Sequence, residues 1–142
     1  MKRILTVTFA TFCPIVLLLS GTTWAAGDAA AGKVIFDANC ASCHGVSGKG
    51  DGPVGAALTP HPRDFTVGEF KFDADGSGTP GDDEDLVLVI QNGAMKFGGS
   101  PLMAPWPTLT PEQVSDIIAH IRSLKASGDA PAADAAPEAP AS

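Results

Sequence analysis

Basic residues are scarce in this chain: 9 Lys and Arg stand against 16 Asp and Glu, and the formal charge is −7. Because such a chain repels a phosphate backbone, nucleic acid is excluded as a partner. Cysteine and histidine are equally scarce, with three of each among 142 residues. A zinc site built on Cys40 and Cys43 would need two further ligands, and His61 and His120 lie at no metal-ligand spacing. The sequence therefore argues against zinc.

The chain also lacks an apolar run of the ~20 residues that span a bilayer comfortably. Its longest apolar stretch, residues 4–20, contains Pro14 and several threonines, follows Lys2 and Arg3, and precedes the small residue Ala25. A retained membrane anchor is the alternative interpretation. We predict instead that residues 1–25 are a cleaved export signal, that the mature protein has no stable membrane anchor, and that it resides in the periplasm.

The other end of the chain is low in large side chains. Residues 127–142 are small, acidic and proline-rich, which predicts a disordered tail. Residues 26–126 then form one small domain, which we expect to be a monomer. The stability of a core of that size is marginal without a covalent cross-link or a cofactor around which it can pack.

Three segments predict helices and indicate an all-α fold. The first begins at Asp28, which can cap the following amides, and runs to about Asn39. The last follows the capping sequence of residues 110–113, Thr-Pro-Glu-Gln, and ends near Gly128. Its apolar residues recur at helical spacing: Val114, Ile117, Ile118, Ile121 and Leu124.

The middle segment, residues 86–90, is ambiguous because an unbroken apolar run also suits a buried strand. Its flanks favour a helix, since residues 82–85 place acidic groups where a helix begins and Asn92-Gly93 provides a stop. Two long loops, residues 45–72 and 94–109, connect the three helices. Loops of that length are expected to pack around a ligand, and a flat apolar ligand held between short helices is consistent with them.

The segment Cys-Ala-Ser-Cys-His at residues 40–44 carries the strongest chemical signal. At the end of a helix, two cysteines three residues apart lie on one face and can form thioethers with the vinyl groups of one haem. The next residue, His44, then points its imidazole at the iron. A thioredoxin-type motif would follow a strand rather than a helix, and a plain disulfide explains neither His44 nor the long loops. The segment predicts one covalently attached haem c.

Four side chains could supply the second axial ligand: Met95, Met103, His61 and His120. Met103 is favoured, because it lies in the stiff proline-rich segment 101–106 directly before the last helix and can hold a weak thioether bond. Met95 suits a surface or packing methionine, and His61 a loop histidine. We expect His120, beside the apolar stripe, to be a half-buried packing residue.

These motifs resemble those of small bacterial class I cytochromes c, over nearly all of residues 27–126. Gly32 and Phe36 match the first helix, residues 40–45 the attachment site, and residues 103–106 the methionine loop with an extra Ala. The proximal loop and the terminal helix match residues 48–53, 62–65 and 118–124. His120 departs from the family, which usually has an aromatic residue there, often the tyrosine that this chain lacks altogether.

The resemblance implies a fold of about three main helices and long loops wrapped around one haem. It also implies that a proline carbonyl accepts a hydrogen bond from His44; Pro53 fits by position, with Pro60 and Pro62 as rivals. Trp106 is expected to pack against the haem or to close the core beside the last helix. Arg63 is expected to pair with a propionate or to be an exposed loop residue.

An acidic loop, residues 73–84, matches a calcium loop in part. Its potential ligands are Asp73, Asp75, Ser77 and Glu84. Pro80 stands where such loops carry a branched apolar residue, and no helix pattern precedes Asp73. The alternative, a glycine-rich turn whose last charges cap the middle helix, is favoured.

The sequence as a whole predicts an electron-transfer protein rather than an enzyme, with outer-sphere transfer between a donor and an acceptor redox protein. Its acidic charge predicts a basic docking patch on the partner. Two alternatives stay open: a haem subunit of a larger redox complex, and a peroxidase or gas sensor in which the second axial ligand is labile.

Overall fold

The computed structural model describes residues 26–128. The predicted signal and the predicted tail beyond Gly128 lie outside the described residues. The described part contains four α-helices, namely α1 (Ala29–Asn39), α2 (Ala41–His44), α3 (Asp83–Asn92) and α4 (Pro111–Gly128). Short 3₁₀ turns occur at Gly55–Ala57 and Ala94–Phe97, and no strand occurs between residues 26 and 128. The all-α prediction is confirmed, and the ambiguous middle segment is a helix.

The three long helices begin with the caps that their sequences predict. The Asp28 carboxylate accepts hydrogen bonds from the amides of Ala30 and Ala31, at 2.8 and 3.3 Å. At the start of α4, Thr110 and Gln113 each accept the other's amide hydrogen in a capping box. In α3 the cap is Asp82, whose carboxylate accepts from the Asp85 amide at 3.0 Å. These local bonds satisfy amides that a helix leaves unpaired.

The core forms where α1 crosses α4. A side chain at Gly32 would overlap the backbone carbonyl of Asp116, so only glycine allows the two helices to approach this closely. Phe36, one turn later on α1, is 1% exposed and packs against the apolar stripe of α4. Leu86, Val87 and Ile90 of α3 complete the cluster. The crossing fixes the direction in which α1 ends and therefore where Cys40 lies.

Within residues 26–128, no helix combines the length and the apolar character needed to cross a bilayer.

His120 is more deeply buried than the sequence predicts. It is 5% exposed, and its ring packs edge-on against Phe36 with centroids 5.1 Å apart. Its Nε2 atom is buried without a hydrogen-bond partner. Burial, followed by the cation of Lys33, lowers the pKa of His120, whereas Asp37 acts in the opposite direction. The crossing therefore favours the neutral imidazole.

Arg122 of α4 ties the loop before α3 to the core. Its guanidinium donates to the Gly81 carbonyl at 2.6 Å and to the Asp83 carboxylate at 2.7 Å. Its carbon Cζ also lies 4.9 Å from the centroid of the Phe70 ring. One side chain thus holds two separate parts of the loop against α4.

Substitution of Gly32 by Ala tests the crossing. We expect the free energy of unfolding to fall by about 1–3 kcal/mol, the usual cost of overpacking, because the new methyl group forces α1 away from Asp116. Val34→Ala is the control, since Val34 is exposed on the same helix and its loss costs within about 0.5 kcal/mol. Equal denaturant midpoints for the two variants would contradict the close crossing.

His120→Phe tests the buried imidazole. Because the folded pKa of His120 lies below its ordinary value of about 6.5, the unfolded chain binds the extra proton as the pH falls through that value. Stability is therefore lost on acidification, and the variant is expected to lose less than wild type between pH 7 and pH 5. Thermal unfolding of both proteins across this range measures the difference. Parallel pH curves would show that His120 makes no contribution.

Candidate haem-binding site

The attachment segment is a continuation of the first helix. Cys40 ends α1, and the chain turns directly into α2, where the amide of His44 donates to the Cys40 carbonyl at 2.9 Å. The Cys43 amide donates to the same oxygen at 3.1 Å. Cys40 and Cys43 are both half-buried and lie about one helical turn apart, on one face. This is the geometry that two thioether bonds to one porphyrin edge require.

The loop after the attachment segment folds back against it. The Val54 amide donates to the Ser42 carbonyl at 2.9 Å, and the Gly50 amide donates to the His44 carbonyl at 2.8 Å. A side chain at Gly55 would overlap the carbonyl of Cys43. The glycines of this loop therefore have a steric role, because they let the backbone brace the segment that carries both cysteines.

The thiol of Cys40 is protonated at neutral pH. Burial, and then the neighbouring Cys43, raise the pKa of Cys40 to about 11. A protonated thiol is the form whose sulfur and hydrogen add across a vinyl double bond to give a thioether. The Cys40 thiol carries both the sulfur and the hydrogen that this addition uses.

His44 is oriented by two neighbours from the following loop. Its ring stacks on Phe65, with centroids 4.7 Å apart and an angle of 18° between the planes. Its Nδ1 atom lies 3.4 Å from the Arg63 carbonyl oxygen. Burial lowers the pKa of His44, and this carbonyl contact raises it in part. A neutral ring whose Nδ1–H faces the carbonyl leaves the Nε2 lone pair free for a metal.

The carbonyl opposite His44 corrects a sequence expectation. The family resemblance implies a proline carbonyl, of Pro53, Pro60 or Pro62, but the oxygen within reach of His44 belongs to Arg63. The Pro53 side chain is exposed, and its loop packs against the attachment segment through the Val54 amide instead. The acceptor thus comes from the residue directly after Pro62, where the chain turns beneath the imidazole.

A cavity opens in front of His44. Its lining is mostly apolar, and among its residues are both His44 and Met103. The rest of the lining is Arg63, Phe65, Phe70, Lys71, Phe72, Gly81, Asp85, Leu86 and Val89. Aromatic rings, a histidine and a methionine around one cavity are the groups expected to hold a haem, and the segment that carries His44 also carries both cysteines.

Backbone hydrogen bonds hold the Met103 segment against the end of α3. The Met103 carbonyl accepts from the Ala94 amide at 3.2 Å, and the Met103 amide donates to the Ser100 carbonyl at 3.2 Å. Three residues later, the Trp106 amide donates to the Ile90 carbonyl at 3.0 Å. The segment is therefore fixed on both sides of the methionine, as a weak thioether ligand requires.

The other sequence candidates lie elsewhere among the described residues. Met95 is 68% exposed and His61 is exposed, and neither lines the cavity. Arg63 does line it, as a propionate partner would. Trp106 packs against the core cluster and is not a lining residue, so the structure favours its expected alternative role of closing the core.

Sequence reasoning missed most of the cavity wall. Phe70, Phe72 and Asp85 all line the cavity. No periodicity or motif in residues 66–81 marks the two phenylalanines, and the sequence indicates Asp85 only as part of the acidic start of α3. Phe65 was noticed only as part of the proximal-loop match, although it stacks on His44. The sequence signal for this part of the cavity wall is the series of aromatic residues along an irregular loop.

The acidic loop arranges its carboxylates differently from a calcium loop. The three that approach within 4.8 Å are those of Asp73, Asp75 and Asp85. Glu84 is exposed on the first turn of α3, and the Ser77 hydroxyl donates to Asp82 at 3.1 Å. The expected ligand set is therefore not assembled, because α3 turns its third residue rather than its second toward the loop. Asp82 caps α3, as the favoured alternative predicts.

Comparisons with known proteins agree with this geometry. Residues 29–125 match the family model for cytochrome c. Cytochrome c-554(547) of Halothiobacillus neapolitanus is 38% identical over 103 residues, which cover 70% of this chain and 100% of that protein. The FixP subunit of the cbb3-type cytochrome c oxidase of Azorhizobium caulinodans is 34% identical over 110 residues, which cover 75% of this chain and 31% of FixP.

A solved structure is similar as well. A chain of the reducing HAO-like protein complex of Kuenenia stuttgartiensis superposes with a TM-score of 0.58 at 34% identity. The match covers 70% of this chain and 44% of that one. The chain thus spans less than half of this structure and under a third of FixP, but it covers cytochrome c-554(547) completely. Cys40 and Cys43 fit the haem attachment of this family. The chain belongs to the cytochrome c family and is a c-type cytochrome, with a class I fold, that carries electrons on a covalently bound haem c.

Proposed function

We propose that this protein is a periplasmic one-electron carrier that passes electrons between two redox proteins, with His44 and Met103 as the axial ligands of the haem iron. The observation that carries the proposal is that these two side chains line the same, mostly apolar cavity. The export signal proposed for residues 1–25 supports the location. Residues 26–126 are the proposed haem domain, followed by a disordered tail at 127–142.

Bound haem supplies a couple between ferrous and ferric iron. The polypeptide contributes rigid ligands: Phe65 and the Arg63 carbonyl orient the imidazole of His44, and backbone bonds on both sides position Met103. The Arg63 and Lys71 side chains, the two permanent cations of the lining, are placed to pair with propionates. A site that moves little on oxidation suits outer-sphere transfer.

Methionine ligation and an apolar pocket both stabilise the reduced iron, so the proposed reduction potential is positive.

The cavity offers little to an enzyme. Catalysis on peroxide needs a positioned acid or base, and among the lining residues of the described chain Asp85 is the one carboxyl group. Its oxygens accept backbone amides, including those of Asp75 at 3.1 Å and Gly81 at 2.6 Å. A carboxylate committed in this way is poorly placed to exchange protons with a ligand. These contacts support electron transfer without catalysis.

A second candidate function is a haem subunit of a larger redox complex. It is favoured by the relatives, since one is a subunit of a cytochrome oxidase and another a chain of an HAO-like complex. Purification of the native protein distinguishes the two candidates. A free carrier elutes as a monomer, whereas a subunit co-purifies with a fixed partner.

The proposed partners carry a basic docking patch, because this chain has 16 acidic residues against 9 basic ones. Exposed carboxylates cluster beside the cavity wall, on residues 73, 75, 83 and 84.

Met103→Ala tests the proposed ligand. We expect wild-type protein matured with haem to give a low-spin c-type spectrum, with a ferric sulfur-to-iron charge-transfer band and no response to carbon monoxide. The band should vanish in Met103→Ala, and that variant should bind carbon monoxide. Met95→Ala is the matched control and should keep the wild-type spectrum, since Met95 is exposed. A high-spin wild-type spectrum, or loss of the band in the control alone, would refute the assignment.

Salt dependence tests the proposed docking. The rate of electron exchange with a basic redox protein is expected to fall steeply as ionic strength rises from about 10 to 200 mM, because screening shortens the Debye length from about 30 Å to below 10 Å. An acidic redox protein of similar potential serves as the control, and its rate should rise instead. Stopped-flow absorbance measures both. A rate that salt leaves unchanged for the basic partner is incompatible with electrostatic docking.

A further inference from the structure

Asp85 is a buried carboxylate that the proposed function does not use. It is the third residue of α3 and is 1% exposed. One carboxylate oxygen accepts the amides of Ala74 and Asp75, and the other accepts the Gly81 amide at 2.6 Å. A single side chain therefore collects amides from the whole length of the loop that precedes α3.

These donors keep the carboxylate ionised despite its burial. Desolvation is the largest single influence and raises the pKa of Asp85, but the hydrogen bonds from backbone amides together outweigh it and lower the pKa. A carboxyl group with an ordinary pKa near 3.9 that is lowered further carries its full negative charge at neutral pH. The structure thus encloses one permanent negative charge.

The charge lies at the wall of the haem cavity. Asp85 is the one acidic residue that lines it in the described part of the chain. Within residues 26–128, Asp85 forms no ion pair with Arg63 or Lys71, the basic residues of the lining, and the guanidinium of Arg122 donates to Gly81 and Asp83 instead. Among the described contacts, amide dipoles rather than a cation stabilise the carboxylate. Its charge is held in place and is not neutralised.

A charge in such a place acts on the iron. The field of amide dipoles decays faster with distance than that of a net charge, so at the centre of the cavity the negative charge dominates. Burial also shields it from the water and salt that weaken the field of surface charges. When ferric haem accepts one electron from a donor protein, its net charge falls by one, and a nearby negative charge disfavours that step.

We propose that Asp85 lowers the reduction potential of the bound haem by holding a buried negative charge beside it. This inference rests on the proposed electron-carrier function and adds a residue that sets the driving force for transfer. Asp85 is a positioning residue as well, since its amide contacts shape the loop that carries Phe72 and Gly81 to the cavity. The test must therefore separate its charge from its role in holding the loop.

Three variants of the haem-loaded protein make that separation. Asp85→Asn removes the charge and keeps the shape, Asp85→Glu keeps the charge and disturbs the shape, and Glu69→Gln removes an exposed charge next to the cavity wall. We expect Asp85→Asn to raise the midpoint potential, with the ferrous-to-ferric ratio at a fixed potential increasing on the order of tenfold, or ~59 mV. Asp85→Glu and Glu69→Gln should each stay within a small fraction of that shift.

A measurement on the wild-type protein covers the case in which Asp85→Asn fails to fold. Coupling between two sites is reciprocal, so a carboxylate that disfavours reduction must bind a proton more readily in the reduced protein. Carbon-13 NMR of the Asp85 carboxyl group in both oxidation states should show a higher pKa in the ferrous form.

Equal pKa values in the two states, or an Asp85→Asn shift no larger than that of Glu69→Gln, would overturn the inference. So would an Asp85→Glu shift as large as that of Asp85→Asn, because it would assign the whole effect to loop shape. The proposed function is judged separately by the Met103-dependent charge-transfer band of the wild-type protein. Absence of that band from the wild-type protein counts against the ligand assignment and not against the charge of Asp85.

Discussion

The close crossing of α1 and α4 is the contact on which the haem site depends. Gly32 lets the helices approach, and Phe36 then fills the space one turn later. The ring of Phe36 also lies beside Phe65 and His44, with centroids 6.1 and 6.3 Å away. A single aromatic side chain therefore transmits the position of the helix pair to the axial histidine. Movement of the crossing moves the attachment segment with it, because Cys40 directly follows α1.

The opposite wall of the cavity has no regular structure of its own and is held by ionic side chains. Asp85 gathers amides of the loop from one side, and Arg122 binds the Gly81 carbonyl and Asp83 from the other. Gly81 is thus bonded through both its amide and its carbonyl. A loop without periodic hydrogen bonds loses much entropy on ordering, and two multidentate side chains offset that loss locally. Asp85 and Arg122, whose contacts no sequence motif marks, therefore position the loop that forms this apolar wall of the cavity.

The same domain serves proteins of different size. It accounts for all of cytochrome c-554(547) but for 31% of FixP, which is a subunit of an oxidase. The matched region, which contains α1, the attachment segment and α4, therefore occurs both as an entire relative and as part of a longer one. In this chain we propose further roles for the surface, through the acidic loop, and for the cavity wall, through Asp85.

Features that depend on residues close in sequence were predictable. Asp28, the Thr110–Gln113 pair and the Asn92-Gly93 stop locate the helices because capping bonds join residues two to three apart. The segment at 40–44 is likewise a local unit, and it was sufficient to predict the haem. Local stiffness and the family resemblance indicate Met103 and Arg63 as candidate site residues, and both line the cavity.

Only the tertiary structure decided which groups surround the haem site from a distance. The carbonyl at His44 belongs to Arg63, 19 residues away, and Asp85 binds the Ala74 amide 11 residues before it. The disfavoured calcium alternative used Glu84, whereas the carboxylate that meets the loop is that of Asp85, since spacing cannot show which face of α3 faces the loop. The sequence by itself determined the haem, its attachment and the helices, because these follow from bonds within one or two turns. The cavity wall and its buried charge arise from the packing of an irregular loop, which no local rule specifies.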